Sequence, residues 1–274
     1  MLINGVSADL ISATDRSLHY GDGVFETVAV RDGRLELWSA HIRRLQRGCE
    51  RLGFSAPDPE LLAGEALRLA HSRERGVLKI IVSRGSGGRG YRPPKNPSPT
   101  RLLSLHPWPE WPDERCSQGI QARICAIPLG RNPWLAGIKH LNRLEQVLAR
   151  GEWSDQDIAE GVMLDTEGWL IEGTMSNLFM VRDGILLTPD LSHCGVAGIM
   201  RGVVMDVARQ QDVRCVTGHF TVRDLAAADE VFLTNSIIGI WPVCRIDAEE
   251  YSSPGEITRL LQRNIDKIKT NFLT

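Results

Sequence analysis

Proline interrupts the chain near its middle, where three prolines fall within six residues of the stretch HPWPEWP. Proline fixes φ and lacks a backbone N–H, so neither a helix nor a central strand can continue through this stretch. The 274 residues therefore divide into two parts, each with enough chain to bury a core. We predict a small N-terminal α+β domain at 1–106, an interdomain linker at 107–118 and a larger C-terminal α+β domain at 119–274.

The composition favours a cytoplasmic protein that binds neither nucleic acid nor a membrane. The formal net charge is only −2, which gives no electrostatic reason to expect either partner. No stretch approaches the roughly 18 apolar residues of a membrane span, and the N-terminal apolar run is too short for a signal peptide. The 6 cysteines are scattered without a CxxC pair. This pattern is typical of buried thiols in a reducing compartment, and it predicts no metal site.

The N-terminal half alternates strand and helix signals. Strands are predicted at MLINGV, GVLKIIVSRG and RLLSLHPW. The stretch GVFETVAVRDGRLELW predicts two more, joined by a hairpin turn at Arg31, Asp32 and Gly33. The stretch SAHIRRLQRGCERLGF predicts a helix that Ser39 caps and Gly53 ends. A second helix is predicted at PELLAGEALRLAHSR.

The C-terminal half predicts a run of hairpins and then further helices. The stretch EGVMLDTEGWLIEGTMSNLFMVRDGILLTP turns at Glu167-Gly168 and at Asp183-Gly184. A helix follows at about 199–211, DEVFLTNSIIGIWPV predicts one strand with a polar interruption, and a helix ends the chain. Two domains that meet across a linker commonly hold a small-molecule site at their junction.

The loop RGSGGRGYR matches a dinucleotide-binding fingerprint, Gly85-x-Gly87-x-x-Gly90. That fingerprint requires a helix directly after its third glycine, and the residues YRPP that follow Gly90 cannot form one. A dinucleotide site is therefore rejected. Two interpretations stay open: a plain surface loop, or a flexible loop bordering a pocket that offers Arg89 and Arg92 to an anionic substrate.

Lysine is scarce in this chain, which makes Lys139 a candidate for chemistry. Only 5 of the 32 basic residues are lysine. In GIKHLNRLEQVLAR, Asn142 and Glu145 fit a capping box, so a helix is predicted to begin just after Lys139. The positive end of the helix dipole favours the neutral amine there. Lysine can act as a nucleophile or base, which arginine cannot, although a plain surface lysine is the other interpretation.

Four further segments carry groups that suit a phosphorylated cofactor. Glu172 ends the apolar strand GWLIEG and is either an edge residue or an anion facing a ring nitrogen. A helix is predicted to begin within GVAGIMRG, and its first backbone N–H groups could bind a phosphate, as at many helix N-termini. LTNSIIG places hydrogen-bonding side chains in an apolar strand, and HIRRL turns one of Arg43 and Arg44 inward. A reactive lysine, a ring-nitrogen carboxylate, a phosphate seat and an arginine are together the requirements of pyridoxal 5′-phosphate.

The chain resembles the class IV aminotransferase family, the fold-type IV pyridoxal-phosphate enzymes, in six segments that occur in the family's order. These are DRSLHYGDGVFETV, HIRRL, IKHLNRLEQV, EGTMSNLF, GVAGIMR and TNSIIGIWPV. The resemblance implies a two-domain α+β fold like that of D-amino-acid aminotransferase, with the cofactor at the domain junction, and a homodimer. It implies that Lys139 forms the Schiff base and that Glu172 pairs with the pyridine nitrogen. The phosphate would be held by Arg44, Ile199, Met200 and Ser236, with Asn235 close by.

Within this family, three stretches are more similar to its lyases than to its D-amino-acid or branched-chain transaminases. They are GIKHLNRLEQVLAR, SRGSGGRGYRP and LDTEGWLIEG. The lyases convert 4-amino-4-deoxychorismate to 4-aminobenzoate and pyruvate in folate biosynthesis. The resemblance implies Lys139 as the proton-transfer base and Thr27 as a catalytic proton relay. Candidates for the two substrate carboxylates are Arg92, Arg89 and Arg143.

Two positions limit how far residue roles can be transferred from the family. Glu26, before Thr27, matches the transaminases, and Arg143 stands where branched-chain transaminases have a tyrosine near the cofactor. The alternatives are therefore a D-amino-acid or branched-chain transaminase of the same fold, and a binding protein that keeps only the fold.

Overall fold

A computed structural model describes residues 1–271, with side chains through Lys267. The end of the predicted C-terminal domain, 272–274, lies outside the described residues. Contacts divide the chain into two compact units. Unit 1 comprises Met1–Pro109 together with Ile138–Asn142, and unit 2 comprises Glu110–Gly137 and the chain from Arg143 onward.

The unit boundaries differ in two places from the predicted domain limits. The chain changes unit between Pro109 and Glu110, so most of the predicted linker at 107–118 packs with unit 2 and includes a short helix at Glu114–Ser117. Residues Ile138–Asn142 return to unit 1 because they pair with a strand of its sheet. A pairing between segments so distant in sequence leaves no local pattern in the residues.

Unit 1 is a six-stranded antiparallel sheet with helices packed against it. The strands run in the order β2-β1-β6-β5-β3-β4. The strands are β1 Leu2–Ile3, β2 Val6–Ser7, β3 Gly23–Arg31, β4 Arg34–Leu35, β5 Arg75–Ser83 and β6 Thr100–His106. The helices are α1 Arg16–Tyr20, α2 Trp38–Leu52 and α3 Pro59–Ala70.

Turn and helix-end signals in unit 1 are confirmed, whereas the predicted helix start is wrong. Asp32 and Gly33 turn the β3–β4 hairpin with φ of 48° and 74°, and Gly53 ends α2 with φ of 74°. Helix α2 does not begin at a Ser39 cap. Leu37, at φ 54°, precedes the helix, and its carbonyl accepts the N–H of His41, which places Ser39 inside the first turn.

Unit 2 is built on a nine-stranded sheet. The helices are α4 Glu114–Ser117, α5 Leu144–Arg150, α6 Ile199–Gln210, α7 Val222–Ala226 and α8 Glu256–Asn271. The strands are β7 Ile120–Ile124, β8 Ile158–Leu164, β9 Leu170–Gly173, β10 Asn177–Arg182, β11 Ile185–Pro189, β12 Cys215–Gly218, β13 Glu230–Asn235, β14 Gly239–Ile246 and β15 Glu249–Glu250.

Six strands of unit 2 pair in a closed circuit. The order β10-β13-β14-β7-β8-β9 returns to β10 through one further pairing, between Glu172 and Asn177. The predicted hairpin turns at Gly168 and at Asp183-Gly184 are confirmed, each with positive φ. The single strand predicted over DEVFLTNSIIGIWPV is wrong. It is the hairpin β13–β14, because the side-chain oxygen of Asn235 accepts two backbone N–H groups and turns the chain.

The cysteines follow the prediction in part. Cys49, Cys125 and Cys194 are buried free thiols, and burial raises the pKa of each to about 12. Cys116 is exposed, contrary to the prediction of buried thiols. Among residues 1–271, no helix combines the length and the apolar character that a membrane crossing requires.

Candidate active site

In unit 1, the segment that carries Lys139 runs beside the first residues of β3. The N–H of Phe25 donates to the carbonyl of Lys139 at 2.9 Å, and the N–H of Leu141 donates to the carbonyl of Gly23 at 3.0 Å. His140 and Val24 form a bridge between these two bonds. The backbone of Lys139 is therefore fixed by β-type pairing.

The amine of Lys139 lies over one face of β3. Its Nζ is 4.3 Å from the centroid of the Phe25 ring. Along β3, Val24, Glu26 and Val28 are buried, while Phe25 and Thr27 alternate with them on the opposite face. The structure thus brings two predicted residues, Lys139 and Thr27, to the same face.

Lys79 lies on this face as well, and the sequence analysis missed it. It pairs with Thr27 across β3 and β5, and its Nζ is 5.6 Å from the centroid of the Phe25 ring. Two of the five lysines in the chain therefore flank one aromatic ring. The scarcity of lysine that drew attention to Lys139 could have identified Lys79 too.

The helix expected directly after Lys139 begins later than predicted. Helix α5 starts at Leu144 without a side-chain cap. Asn142 instead donates to the carbonyl of Gly21 at 3.2 Å, and Glu145 accepts the N–H of Gly130 at 2.8 Å. The predicted capping box is therefore wrong, since both polar side chains bind other segments.

Arg44 is anchored on the α2 side of β3, away from the face that carries Lys139. Its Nε and Nη2 donate to the two oxygens of Glu26 at 2.7 and 2.6 Å, and Nδ1 of His41 lies 2.6 Å from the same carboxylate. Burial alone would raise the pKa of Glu26, but Arg44 and His41 outweigh it and lower the pKa to about 2. For Arg44, phosphate binding stays a prediction.

In unit 2, Glu172 lies where the circuit of strands closes. It pairs with Asn177 across β9 and β10, and the same Asn177 pairs with Thr234 on β13. The N–H of Val196 donates to Oε2 of Glu172 at 2.8 Å. The carboxylate is buried, and this backbone N–H satisfies one of its oxygens.

Asn177 is a buried residue that the sequence analysis did not single out. Its Nδ2 donates to the carbonyl of Val196 at 2.8 Å and lies 3.5 Å from Oε2 of Glu172. A Cβ added to Gly198 would lie 1.9 Å from its Oδ1. Asn177 therefore connects Glu172 with the glycine-containing loop before α6, and only a residue without a side chain fits at 198.

The first turn of α6 suits an anion. Gly198 precedes the helix with no capping side-chain hydrogen bond, and the first turn, which holds Ile199 and Met200, has no acidic residue. Arg201 in this turn donates to Thr188 Oγ1 at 3.1 Å and so ties the turn to β11. With the buried carboxylate of Glu172, this donor set fits the phosphate and the ring nitrogen of pyridoxal phosphate.

Asn235 is the last residue of β13 and Ser236 follows it, just beyond Thr234, which pairs with Asn177 on the neighbouring strand. Asn235 uses its side chain within the fold, since Nδ2 donates to the carbonyl of Met175 at 3.0 Å and Oδ1 accepts the N–H of Ile237 and of Ile238. Its contribution is to shape the turn that presents Ser236, which is half-buried.

The three predicted substrate arginines are in different settings. Arg89 and Arg92 are exposed on the glycine-rich loop of unit 1. Arg143 is half-buried in unit 2, where burial lowers the pKa of its guanidinium and the charges of Glu172 and Glu145 oppose that shift.

The predicted residues thus form two groups. Unit 1 brings together Lys139 and Thr27, with Lys79 added, and unit 2 brings together Glu172 and the start of α6. Gly137 is hydrogen-bonded to the loop before α6, through the carbonyl of Gly195 at 2.9 Å and the N–H of Ala197 at 3.1 Å, and Lys139 follows it by two residues in the chain.

Comparisons with known proteins identify the family. The family model for class IV amino-transferases matches residues 23–246. The chain therefore belongs to the class IV aminotransferase family, whose members depend on pyridoxal phosphate. The predicted fold class, the α+β fold of fold-type IV enzymes, is confirmed.

Three relatives show where the chain falls within the family. The crystal structure of 4-amino-4-deoxychorismate lyase from Pseudomonas aeruginosa superposes with a TM-score of 0.93 at 46% identity, covering 97% of this chain and 98% of the other. An aminodeoxychorismate lyase from Vibrio harveyi is 38% identical over 267 residues, 96% of this chain and 98% of that protein. A putative branched-chain-amino-acid aminotransferase from Methanocaldococcus jannaschii is 32% identical over 269 residues, 96% of this chain and 92% of that protein.

Proposed function

We propose that the protein is a pyridoxal-phosphate-dependent lyase that converts 4-amino-4-deoxychorismate to 4-aminobenzoate and pyruvate. The observation that carries the proposal is the placement of the Lys139 amine on the same face of β3 as Thr27. A base and a hydroxyl on one face suit a reaction that removes one proton and delivers another. The two lyases described above, at 46% and 38% identity, favour this substrate over an amino acid.

Several of the predicted residues would hold the cofactor. Lys139 would bind its aldehyde carbon, Glu172 would face its ring nitrogen, and the N–H groups of Ile199 and Met200, with Ser236, would hold its phosphate. When bound, the cofactor supplies an electron sink for the charge left by deprotonation of the substrate. Glu172 maintains that sink because its buried carboxylate, fixed by the Val196 N–H, favours a protonated ring nitrogen.

Lys139 would act as the base towards the bound substrate. Its Nζ takes the proton from the ring carbon that bears the substrate nitrogen. The bond from the neighbouring ring carbon to the enolpyruvyl oxygen then breaks, and the electron pair leaves with that oxygen. The ring becomes aromatic, which makes the step strongly downhill and gives 4-aminobenzoate.

The departing enolpyruvate takes up one proton and becomes pyruvate. Lys139 can return the proton it removed, directly or through the Thr27 hydroxyl on the same face of β3. The amino group leaves with the aromatic product, so no second substrate is needed to regenerate the enzyme.

The two substrate carboxylates require cations. Lys79 is on the face that carries Thr27, and its ammonium group near Phe25 suits one carboxylate. Arg89 and Arg92 on the exposed loop, together with Arg143, are the candidates for the other.

We also propose a cytoplasmic homodimer. Leu144, Val147 and Leu148 form an apolar stripe at helical spacing on α5, yet they are 76%, 63% and 60% exposed. A second copy of the chain would cover this stripe. Val147→Asp is expected to shift the molar mass measured by light scattering from two chains towards one, and an unchanged mass would exclude α5 from the interface. Buried free thiols at Cys49 and Cys125 suit the reducing cytoplasm.

The function is tested by incubating the purified protein with pyridoxal phosphate and 4-amino-4-deoxychorismate and following 4-aminobenzoate fluorescence. We expect 4-aminobenzoate and pyruvate in equal amounts. No 4-aminobenzoate, together with amino transfer from D-alanine or a branched-chain amino acid to a 2-oxo acid, would identify a transaminase. Failure to develop the visible absorption band of lysine-bound cofactor would identify a protein that keeps only the fold.

A further inference from the structure

A buried arginine holds the backbone of the glycine-rich loop that follows β5. Arg16 of α1 is only 4% exposed, and it donates from Nη1 to the carbonyl of Gly90 at 3.2 Å and from Nη2 to the carbonyl of Tyr91 at 3.0 Å. These carbonyls follow directly after Arg89 in the chain. Arg16 therefore fixes the backbone of the loop directly beside the exposed Arg89.

Further contacts fit Arg16 to this loop. The N–H of Arg16 donates to the carbonyl of Gly85 at 3.0 Å, and a Cβ on Gly87 would lie 3.0 Å from the Arg16 Cδ. The guanidinium carbon lies 4.7 Å from the centroid of the Tyr20 ring, which is 5.4 Å from the ring of Tyr91. Glycine at 87 lets the backbone pass close to the arginine stem, which a bulkier residue would obstruct.

Asp22 links this arginine to the segment that carries Lys139. Nε of Arg16 donates to Oδ2 of Asp22 at 2.7 Å. On either side of Asp22, the carbonyl of Gly21 accepts from Asn142 and the carbonyl of Gly23 accepts from the N–H of Leu141. Asp22 thus lies immediately before β3, the strand that positions the lysine backbone.

A second arginine shares Asp22 but serves a different segment. Arg84 donates to Asp22 from Nε at 2.7 Å and from Nη2 at 3.1 Å. Its Nη1 and Nη2 also donate to the carbonyls of Gly53 and Leu52 at the end of α2. Burial alone would raise the pKa of Asp22, but the hydrogen bonds from Arg84 and Arg16 outweigh it and keep that pKa below its usual range. Arg84 is therefore a matched control, because it binds the same carboxylate without touching Gly90 or Tyr91.

We infer that Arg16 is a positioning residue for substrate binding. It holds the glycine-rich loop against Asp22 so that Arg89 is presented in a fixed place relative to the Lys139 segment. This inference rests on the proposed function, since it assigns the loop an anionic group of the substrate. Arg16 itself touches neither substrate nor cofactor in this account.

The test compares Arg16→Met and Arg16→Lys with Arg84→Met in the cofactor-loaded enzyme. For both Arg16 variants we expect KM for 4-amino-4-deoxychorismate to rise about tenfold, because two charge-assisted hydrogen bonds to the loop are lost. Lysine keeps the charge beside Asp22 but cannot span two carbonyls, so it should not rescue KM. We expect kcat to stay within about twofold, since the Lys139 segment keeps its own backbone pairing. Arg84→Met should leave KM unchanged.

The double variant Arg16→Met with Arg89→Met sharpens the assignment. If Arg16 acts by placing Arg89, removing Arg16 from a chain that already lacks Arg89 should raise KM by less than about twofold further. An additive, tenfold further increase would overturn the inference. So would a wild-type KM in Arg16→Lys, or an equal rise of KM in Arg84→Met.

Limited trypsin digestion tests the loop without any reference to activity. Trypsin can cleave after Arg89, and mass spectrometry distinguishes that bond from others in the chain. We expect cleavage there to speed up at least about tenfold in both Arg16 variants and not in Arg84→Met. Equal cleavage rates in all variants would overturn the positioning role even if KM changes.

The kinetic and the digestion experiments together distinguish failure of this inference from failure of the proposed function. A wild-type protein that makes no 4-aminobenzoate refutes the function, while the digestion arm still measures whether Arg16 holds the loop. Should Arg16→Met not fold, as judged by circular dichroism, Arg16→Lys alone decides both arms.

Discussion

Two buried carboxylates, Glu26 in unit 1 and Glu172 in unit 2, are stabilised in different ways. Glu26 is completely buried and is bound by the side chains of Arg44 and His41. Glu172 is also buried, but its described hydrogen bonds come from the backbone of Val196 and the amide of Asn177.

The difference separates an anion that organises the fold from one that suits chemistry. The negative charge of Glu26 is matched inside the protein by a cation, so its main effect is to hold Arg44 in place. The described hydrogen bonds to Glu172 come from a backbone N–H and an amide, and we propose that its carboxylate acts on a ring nitrogen of the cofactor. Neutralising the first should therefore lower stability, and neutralising the second should lower the rate.

The largest effect is expected for Glu26→Gln. Removal of the anion takes away the carboxylate that binds the buried guanidinium of Arg44 and the ring of His41, which should lower the free energy of unfolding by about 3–5 kcal/mol. Urea denaturation measures this loss. Glu65→Gln is the control, because Glu65 is also buried but its partner Arg101 is partly exposed and can be hydrated. If Glu26→Gln lowers the free energy of unfolding no more than Glu65→Gln does, Glu26 is not the anion that organises the fold.

For Glu172→Gln we expect kcat to fall by about 10²-fold or more, because a neutral amide no longer favours a protonated ring nitrogen. The free energy of unfolding should change by less than about 1.5 kcal/mol. Glu230→Gln is the matched control, since that buried carboxylate accepts the N–H groups of Ile257 and Thr258 at the start of α8 and should affect stability only. An unchanged kcat in Glu172→Gln would contradict the proposed role of Glu172 at the cofactor ring nitrogen.

Asn177→Ala tests whether the amide supports Glu172. It should lower kcat and cofactor affinity by about tenfold each, because the carbonyl of Val196 loses its donor and the loop before α6 is released. Steady-state kinetics and cofactor titration measure these quantities. Asn264→Ala removes a similar amide-to-carbonyl bond in α8 and should change neither. Equal effects of the two variants would show that Asn177 acts only through stability.

A pH dependence tests the same ion pair without a further substitution. The pKa of Glu26 in the folded protein is about 2, below its ordinary value near 4.5. A lowered folded-state pKa contributes stability that is complete above the unfolded value and is lost as pH falls towards the folded value. The stability difference between wild type and Glu26→Gln should therefore shrink between about pH 4.5 and pH 2. A difference that stays constant over this window would contradict ionic pairing.

Local patterns in the sequence predicted much of the fold. Gly53, Gly168 and the Asp183-Gly184 pair each mark a turn or helix end, because few other residues adopt positive φ easily. The predicted starts of α2 and α5 are wrong. Ser39 lies within the first turn of α2, and Asn142 binds Gly21 instead of capping α5. At the start of α2 a backbone conformation overrides the local capping preference, and at the start of α5 a tertiary contact does so.

The candidate site was predictable only as a set of residue types. Scarcity of lysine singled out Lys139, but nothing local indicates that its segment pairs with β3 or that Lys79 lies on the same face. Asn177 was missed for the same reason, since its importance comes from the closing pair with Glu172. Such pairings depend on topology that residue spacing does not encode.

The most direct test of the central claim is the rate of 4-aminobenzoate formation from 4-amino-4-deoxychorismate by wild type and by Lys139→Ala, each supplied with pyridoxal phosphate. We predict product from the wild type and a loss of at least about 10⁴-fold in the variant, which lacks both the anchor and the base. A variant that keeps more than about a tenth of the wild-type rate, or a wild type that forms no 4-aminobenzoate, would contradict the account.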